Sequence, residues 1–441
     1  MPELLLSYYG DDLTGSTDVM EALASHGVPT VLFMRQPTDA QLEKFADVLA
    51  IGLAGSSRSE TPDWMDEHLT PALTWLKSLG AGICHYKVCS TFDSGPTIGS
   101  IGRAIDIGHR IFAPAPIPLV VGAPQLKRYT AFGNLFAAYQ GQTYRIDRHP
   151  VMARHPVTPM NEADIRIHLS KQTDKSVTLV DIAILAGDEV DASVDAVLAQ
   201  GAEIVLFDVA DIATQNGVGR QLARMRSEGV VFAVGSSGIE YALLNEWARV
   251  GRTSGVSEFV EPGPADRIAV VSGSCSSTTA RQIRHAVAHG FEAFEVEPNR
   301  LATGETAAIG DAIEKGLRSL AQGRSPVLYT ALGPETDVGA QFESDGARHA
   351  IGRALGQIER ALIERAGLRR AVIAGGDTSS HALRQLGVYA LTTRLPLPST
   401  PGSPLCLAHS DDKAFDGLEI ALKGGQVGGD DYFSKIKLGT I

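Results

Sequence analysis

Short apolar runs recur along the chain, each followed by a turn rich in Gly, Ser, Asp and Thr and then by apolar positions at helical spacing. Leu4–Tyr9 is apolar, GDDLTGST follows, and Val19, Met20, Leu23 and Ala24 recur with a helical period before Gly27. Val230–Val234 leads into GSSG and IEYALLNEWA, and Ile268–Val271 leads into SGSCSSTT and ARQIRHAVAHG. Ala371–Ala374 leads into GGDTSS and HALRQLG. In each case Ser, Thr or Asp stands where a helix N-cap belongs, and Gly27, Gly290 and Gly387 stand where a left-handed C-terminal residue belongs. Strands alternating with helices in this way predict an α/β fold with mainly parallel sheets flanked by helices.

In such a fold the turns lie at the carboxyl ends of strands and the N-termini of helices, where free backbone N–H groups and the helix dipole attract anions. Ligands of parallel α/β proteins bind there. The stretch TSGVSEFVEPGPADR, rich in Gly, Ser, Pro and acids, precedes a new strand and reads as a domain boundary. Two domains are expected, residues 1–255 and 266–441, with the active site in the cleft between them. APAPIPLVVGAP, at 113–124, reads as a loop entering a buried strand, and RHPVTPMNEADI, at 154–165, as a polar loop ending in a helix start.

Composition narrows the partners. The 441 residues carry 39 Lys and Arg against 51 Asp and Glu, a net charge of −12, which argues against nucleic-acid binding. Small anions remain eligible, because a local cationic cluster can sit within an acidic protein. The four cysteines, Cys84, Cys89, Cys275 and Cys406, contain no C-x-x-C pair. The N-terminal residues show no signal-peptide pattern and no stretch reaches membrane-spanning length, so a cytoplasmic protein without membrane association is expected. Homo-oligomer formation is left open.

No Walker A loop, G-x-G-x-x-G, H-E-x-x-H or G-x-S-x-G occurs. The remaining chemistry sits in the strand-end turns. Asp11 and Asp12 end the first strand, and paired carboxylates there suit proton abstraction from an attacking alcohol; the plainer alternative is that one caps the helix. Asp12 is the expected base, with Asp11 the alternate. Arg58, in AGSSRSE after Val48–Leu53, suits bidentate binding of a carboxylate, although a structural role fits equally. Lys87, Cys89, Ser90 and Thr91 end a third strand: Lys87 could neutralise an acid, the hydroxyls could bind a polyol, and Cys89 reads as a packed residue. His155 lies in a polar loop and could touch substrate or phosphate.

In the second half, SGSCSST with Ser274 and AGGDTSS with Gly375, Gly376, Asp377 and Thr378 read as backbone cradles for phosphate. Asp377 could instead cap its helix. LKGGQVGGDDYF, with Gly424, Gly425, Gln426 and Val427, permits close backbone approach to a large ligand such as ATP. No metal-ligand spacing is legible among the histidines, so the metal ligands stay unassigned.

Taken in order, DDLTGSTD, KVCST, HPVTPM, GSCSSTTARQ, AGGDT and KGGQVG resemble the motifs of the four-carbon acid sugar kinases, from residue 4 to about 433. The resemblance implies ATP-dependent phosphorylation, with Mg²⁺, of threonate, erythronate, 3-oxo-tetronate or a branched acid such as 3-oxo-isoapionate. It implies a substrate-binding first domain, using Asp11 or Asp12, Arg58 and Lys87–Thr91. It implies a nucleotide-binding second domain, using Ser274, Gly375–Thr378 and Gly424–Val427. Two substrate loops depart from the family pattern: KVCSTFDSG stands where K-I-D-S-T-L-R-G is common, placing Cys89 for an acid and Asp93 for an Arg, and AGSSR keeps only the end of D-T-E-S-R. The alternatives are another α/β enzyme, an oxidoreductase or lyase, or a sugar-acid-sensing protein built on the same anion-binding turns.

Overall fold

The computed structural model describes residues 3–112, 115–155, 157–226, 230–336 and 345–440. The chain divides into two compact units, Met1–Val31 with Gln36–Ser257, and Glu258–Ile441 with the short segment Leu32–Arg35. That segment's membership of the second unit has no signal in the hydrophobic pattern, because its pairing partner is far away in sequence. Among the described residues no helix is long and apolar enough to cross a membrane.

The first unit carries strands β1 (Leu6–Gly10), β3 (Ala50–Ala54), β4 (Ile83–Lys87) and β5 (Ile117–Val120), while β2 (Thr30–Phe33) begins in it and ends in the segment Leu32–Arg35. It continues with β6 (Arg128–Ala131), β7 (Asn134–Tyr139), β8 (Gln142–Arg145), β9 (Val177–Val180), β10 (Ile204–Phe207) and β11 (Val231–Gly235). Seven of these form a parallel sheet in the order β3-β1-β4-β11-β5-β10-β9. All five residues of β1, β4 and β11 are buried, as expected of central strands covered on both faces. β6, β7 and β8 form a separate antiparallel meander. Its two-residue turns, Phe132-Gly133 and Gln140-Gly141, have both φ angles positive, the type I′ geometry that matches hairpin twist.

The second unit carries β12 (Ala269–Ser272), β13 (Phe291–Glu295), β14 (Ser325–Tyr329) and β15 (Arg370–Ala374). The chain ends with β16 (Val388–Leu395), β17 (Leu405–Ser410) and β18 (Glu419–Lys423). β13-β14-β12-β15-β18 run parallel, and β17 and β16 extend the sheet antiparallel. Leu32 and Phe33, the end of β2, pair antiparallel with Leu391 and Ala390 of β16. The core here is Ile268, Val270, Val327, Val372, Ala421, Phe433 and their neighbours.

The expected strand-turn-helix units form. Helices Leu13–Ser25, Gly238–Arg249, Ser277–Ala288 and Gly376–Gln385 follow β1, β11, β12 and β15. Gly27, Gly290 and Gly387 take positive φ. Side-chain caps are present at Asp12 and Ser276 but not in the other two turns. Ser237 directs its hydroxyl to Asp18 instead, and the cap position before Gly376 is Gly375, whose φ of +118° admits no ordinary side chain. The helix start expected at the end of 154–165 is Asp164, which caps Ile165–Leu169. Pro156, and the residues at 113–114 that open the Pro-rich stretch, lie outside the described residues.

Candidate active site

β1 lies between β3 and β4, so the loops leaving these three strands are neighbours. The Asp11 N–H donates to the Lys87 carbonyl (2.9 Å), and the Arg58 N–H donates to the Asp11 carbonyl (3.1 Å). Three residues far apart in sequence are thereby joined at the backbone. Side chains of Asp11, Asp12 and Lys87 surround Gly15: a Cβ there would lie 2.8 Å from Asp12 Oδ1, 3.1 Å from Lys87 Nζ and 3.8 Å from Asp11 Oδ1. Gly15 therefore keeps open a notch lined by two carboxylates and an ammonium.

The two aspartates differ in their engagement. Asp12 accepts the Gly15 N–H on Oδ1 (2.5 Å), capping the helix, and Arg58 Nη1 on Oδ2 (2.7 Å). Asp11 is 5% exposed, and its Oδ1 has no hydrogen-bond partner. Burial, reinforced by the charge of Asp12 and opposed by Arg58 and Lys87, pushes the Asp11 carboxyl up to about 7. Lys87 is buried 3.7 Å from Asp18. Burial alone would lower its pKa, but the charges of Asp18, Asp11 and Asp12 hold it above its ordinary value.

Arg58, expected to offer a fork to a carboxylate, has both terminal nitrogens on protein acids. Nη1 binds Asp12, and Nη2 donates to both oxygens of Asp93 (3.1 and 3.0 Å). Asp93 also accepts the hydroxyls of Thr91 (2.5 Å) and Thr158 (3.2 Å). Burial opposes its ionisation, yet Arg58 and Thr91 keep its pKa below the usual carboxylate range. Thr91 has one proton and gives it to Asp93, so the Cys89 thiol is the donor in the 3.0 Å contact with Thr91 Oγ1. Ser90 is half-buried with no hydrogen bond among the described residues. The Thr158 N–H donates to His155 Nδ1 (3.1 Å), which brings the His155 loop to Asp93 through Thr158. Thr158, Asp18 and Gly15 were not singled out in the sequence, although Thr158 stands within the quoted HPVTPM and Asp18 and Gly15 within DDLTGSTD, and Asp93 was named there only as a departure from the family pattern.

In the second unit β12, β15 and β18 are neighbours, so the turns carrying Ser274, Gly375–Thr378 and Gly424–Val427 come together. A Cβ on Gly273 would lie 2.2 Å from Thr378 Oγ1, and one on Gly425 3.0 Å from Ser274 Oγ. These glycines let the three loops approach. The side chain of Asp377 lies outside the described residues. The third loop is tied from beneath. Lys423, fully buried, donates to Thr279 Oγ1 (3.0 Å) and to the carbonyls of Gly424 (2.7 Å), Gly425 (3.3 Å) and Val427 (3.5 Å). Ser276 and Thr279 also donate to the Gly425 carbonyl, and Gln282 donates to the Val427 and Gly429 carbonyls (3.0 and 2.9 Å). With these carbonyls occupied, the N–H groups of Gly424–Val427 have no acceptor among the described residues, the state of an anion-binding nest. No carboxylate pairs with Lys423 among the described residues, and burial lowers its pKa to about 7. Lys423 stood in the quoted KGGQVG, but only its burial beneath the loop reveals the contacts it makes.

Comparison with known proteins assigns both units. Residues 6–243 match a family described as a sugar-binding N-terminal domain, and 269–433 one described as a nucleotide-binding C-terminal domain. A 3-oxo-isoapionate kinase of Paraburkholderia graminis is 45% identical, the match covering 99% of this chain and 95% of that one. A 3-oxo-tetronate kinase of Methylobacterium radiotolerans is 30% identical, covering 98% of each. The crystal structure of a Haemophilus influenzae protein of the DUF1537 family shares the fold, with a TM-score of 0.74 and 24% identity over 98% of this chain and 99% of that one. Two α/β domains of this kind, one for a sugar and one for a nucleotide, define a sugar kinase. The chain belongs to the four-carbon acid sugar kinase family, and is a sugar acid kinase.

Proposed function

We propose that the enzyme transfers the γ-phosphoryl group of ATP to a hydroxyl of a branched 3-oxo sugar acid of the 3-oxo-isoapionate type. The 45% identity to a kinase of that name favours this acid over the tetronates. The observation that carries the chemistry is the unengaged, buried Oδ1 of Asp11 beside Lys87 and the Gly15 notch. Asp11, rather than Asp12, takes the proton: both Asp12 oxygens already accept hydrogen bonds, one from the Gly15 N–H and one from Arg58. As the substrate oxygen bonds to the γ-phosphorus, its proton passes to Asp11 and the bond to the β–γ bridging oxygen breaks, releasing ADP. A base with pKa near the working pH is suited to this step. Lys87 holds positive charge at the notch, and the amides of Gly424–Val427, with the N-terminus of helix Gly376–Gln385, hold phosphate oxygens.

Mg²⁺ would supply positive charge that offsets the charge of the phosphates. Among the described residues no three His, Cys, Asp or Glu side chains gather as a cage. Asp12, whose side chain is 31% exposed at the notch, is the carboxylate that would hold the ion on the protein's side. A coupled ADP-release assay with 3-oxo-isoapionate, 3-oxo-tetronate, threonate and erythronate tests the reading. ADP release that depends on the acid and is fastest with 3-oxo-isoapionate is expected. Release with none of the acids, together with failure to bind ATP, overturns it.

A further inference from the structure

The cations of the substrate unit are not equivalent. Arg58 has both terminal nitrogens on Asp12 and Asp93, and Lys87 faces Asp18. Arg128, at the start of β6, has no carboxylate partner among the described residues. Its Nη1 donates to the carbonyls of Leu126 (3.1 Å), Lys127 (3.2 Å) and Ala138 (3.5 Å), which pins the head group to the meander. Its buried Nε has no acceptor, and Nη2 makes no hydrogen bond among the described residues. Nε–H and Nη2 form one edge of the guanidinium, a fork that receives both oxygens of a carboxylate.

His149 presents a second donor of the same kind. Its Nδ1 accepts the N–H groups of Val151 (3.2 Å) and Met152 (3.1 Å), so the neutral ring carries its proton on Nε2. That nitrogen is buried and without an acceptor, while the rings of Tyr139 and Tyr144 pack edge-on at 5.4 and 6.0 Å. Burial, and then the charge of Arg128, lower the His149 pKa, which keeps the ring neutral. The Met152 N–H on His149 belongs to the turn whose His155 and Thr158 reach Asp93. Arg128 reaches the Ala138 carbonyl and the ring of the next residue, Tyr139, packs on His149, so the two donors share one end of the meander. A buried donor without an acceptor is costly to leave unanswered. Two such donors together, one of them cationic, make a receptor for an anion.

Resting on the sugar-acid reading, we infer that Arg128 and His149 form the subsite that binds the carboxylate of the substrate, leaving Arg58 to position Asp12. The meander β6–β8 acquires a role as the scaffold of this subsite. The test compares each acid with its uncharged carboxamide, both by ADP release and by calorimetric binding to the full chain. Arg128→Gln is expected to raise the KM of the acid at least tenfold and to bring the acid-over-carboxamide preference close to one, with the KM for ATP unchanged. Arg128→Lys, which keeps the charge but not the fork, should recover part of the preference, and His149→Phe should weaken it. An undiminished preference in folded Arg128→Gln overturns the inference while leaving the kinase reading intact. If Arg128→Gln does not fold, Arg128→Lys and His149→Phe decide, and two wild-type preferences overturn it. Should wild type release no ADP with any acid, the kinase substrate reading fails. The subsite is then judged on binding alone, and equal or absent acid binding in wild type and variant overturns it.

Discussion

Asp11 and Asp12 are adjacent in sequence and chemically unlike, because one faces the interior and the other caps a helix beside Arg58. For Asp11 the folded pKa, about 7, lies above the ordinary carboxylate value, so the folded chain binds a proton that the unfolded chain has already lost. Its contribution to stability is therefore greatest in acid and falls as pH rises toward 7. Asp11→Asn removes that penalty: its Tm relative to wild type should increase between pH 5 and pH 8. Its kcat should fall by about 10²–10⁴-fold, the range for loss of a general base. Wild-type kcat should rise with pH through about 7 as the base ionises. Thermal melts and kcat–pH profiles check these expectations, and a variant that keeps the wild-type rate would remove Asp11 from the proton transfer. The pair itself was legible in DDLTGSTD, but which member is free was not, because that depends on Arg58, 46 positions away.

At the scale of elements, three turns of the second unit converge, and side chains beneath one of them engage its backbone carbonyls. Lys423 withdraws three carbonyls of one loop, and Ser276 both caps its helix and holds the same loop. Lys423→Met leaves those carbonyls without the ammonium. The KM for ATP is expected to rise at least tenfold while that for the sugar acid stays unchanged, a split that steady-state kinetics reads directly. Equal changes in both constants would assign Lys423 to general stability instead. The strand-turn-helix units were readable because an apolar run, a small-residue turn and a 3.6-residue period are local signals. The meander was missed because its type I′ turns begin with Phe132 and Gln140 rather than with the usual Asn or Asp.

For the whole molecule, a net charge of −12 accompanies two anionic substrates, so each must be received by local donors. In hydrogen-exchange mass spectrometry, ADP should protect 273–279, 375–379 and 424–429, whereas the sugar acid should protect 11–17, 87–93 and 128–152. Protection of the first set by the sugar acid alone would contradict the assignment of ligands to units.

The sequence by itself determined the α/β class, the strand-end turns, the glycine positions and the ordered motifs of a sugar acid kinase, since each depends on residues within one turn or one strand. Tertiary structure alone decided which groups are free. Placing β1 between β3 and β4 brings Arg58 and Lys87 to Asp11. Folding also pairs Arg58 with Asp93, and leaves Arg128 and His149 with unanswered donors. Hydrogen-bond satisfaction is a sum over neighbours in space, and no spacing along the chain encodes it.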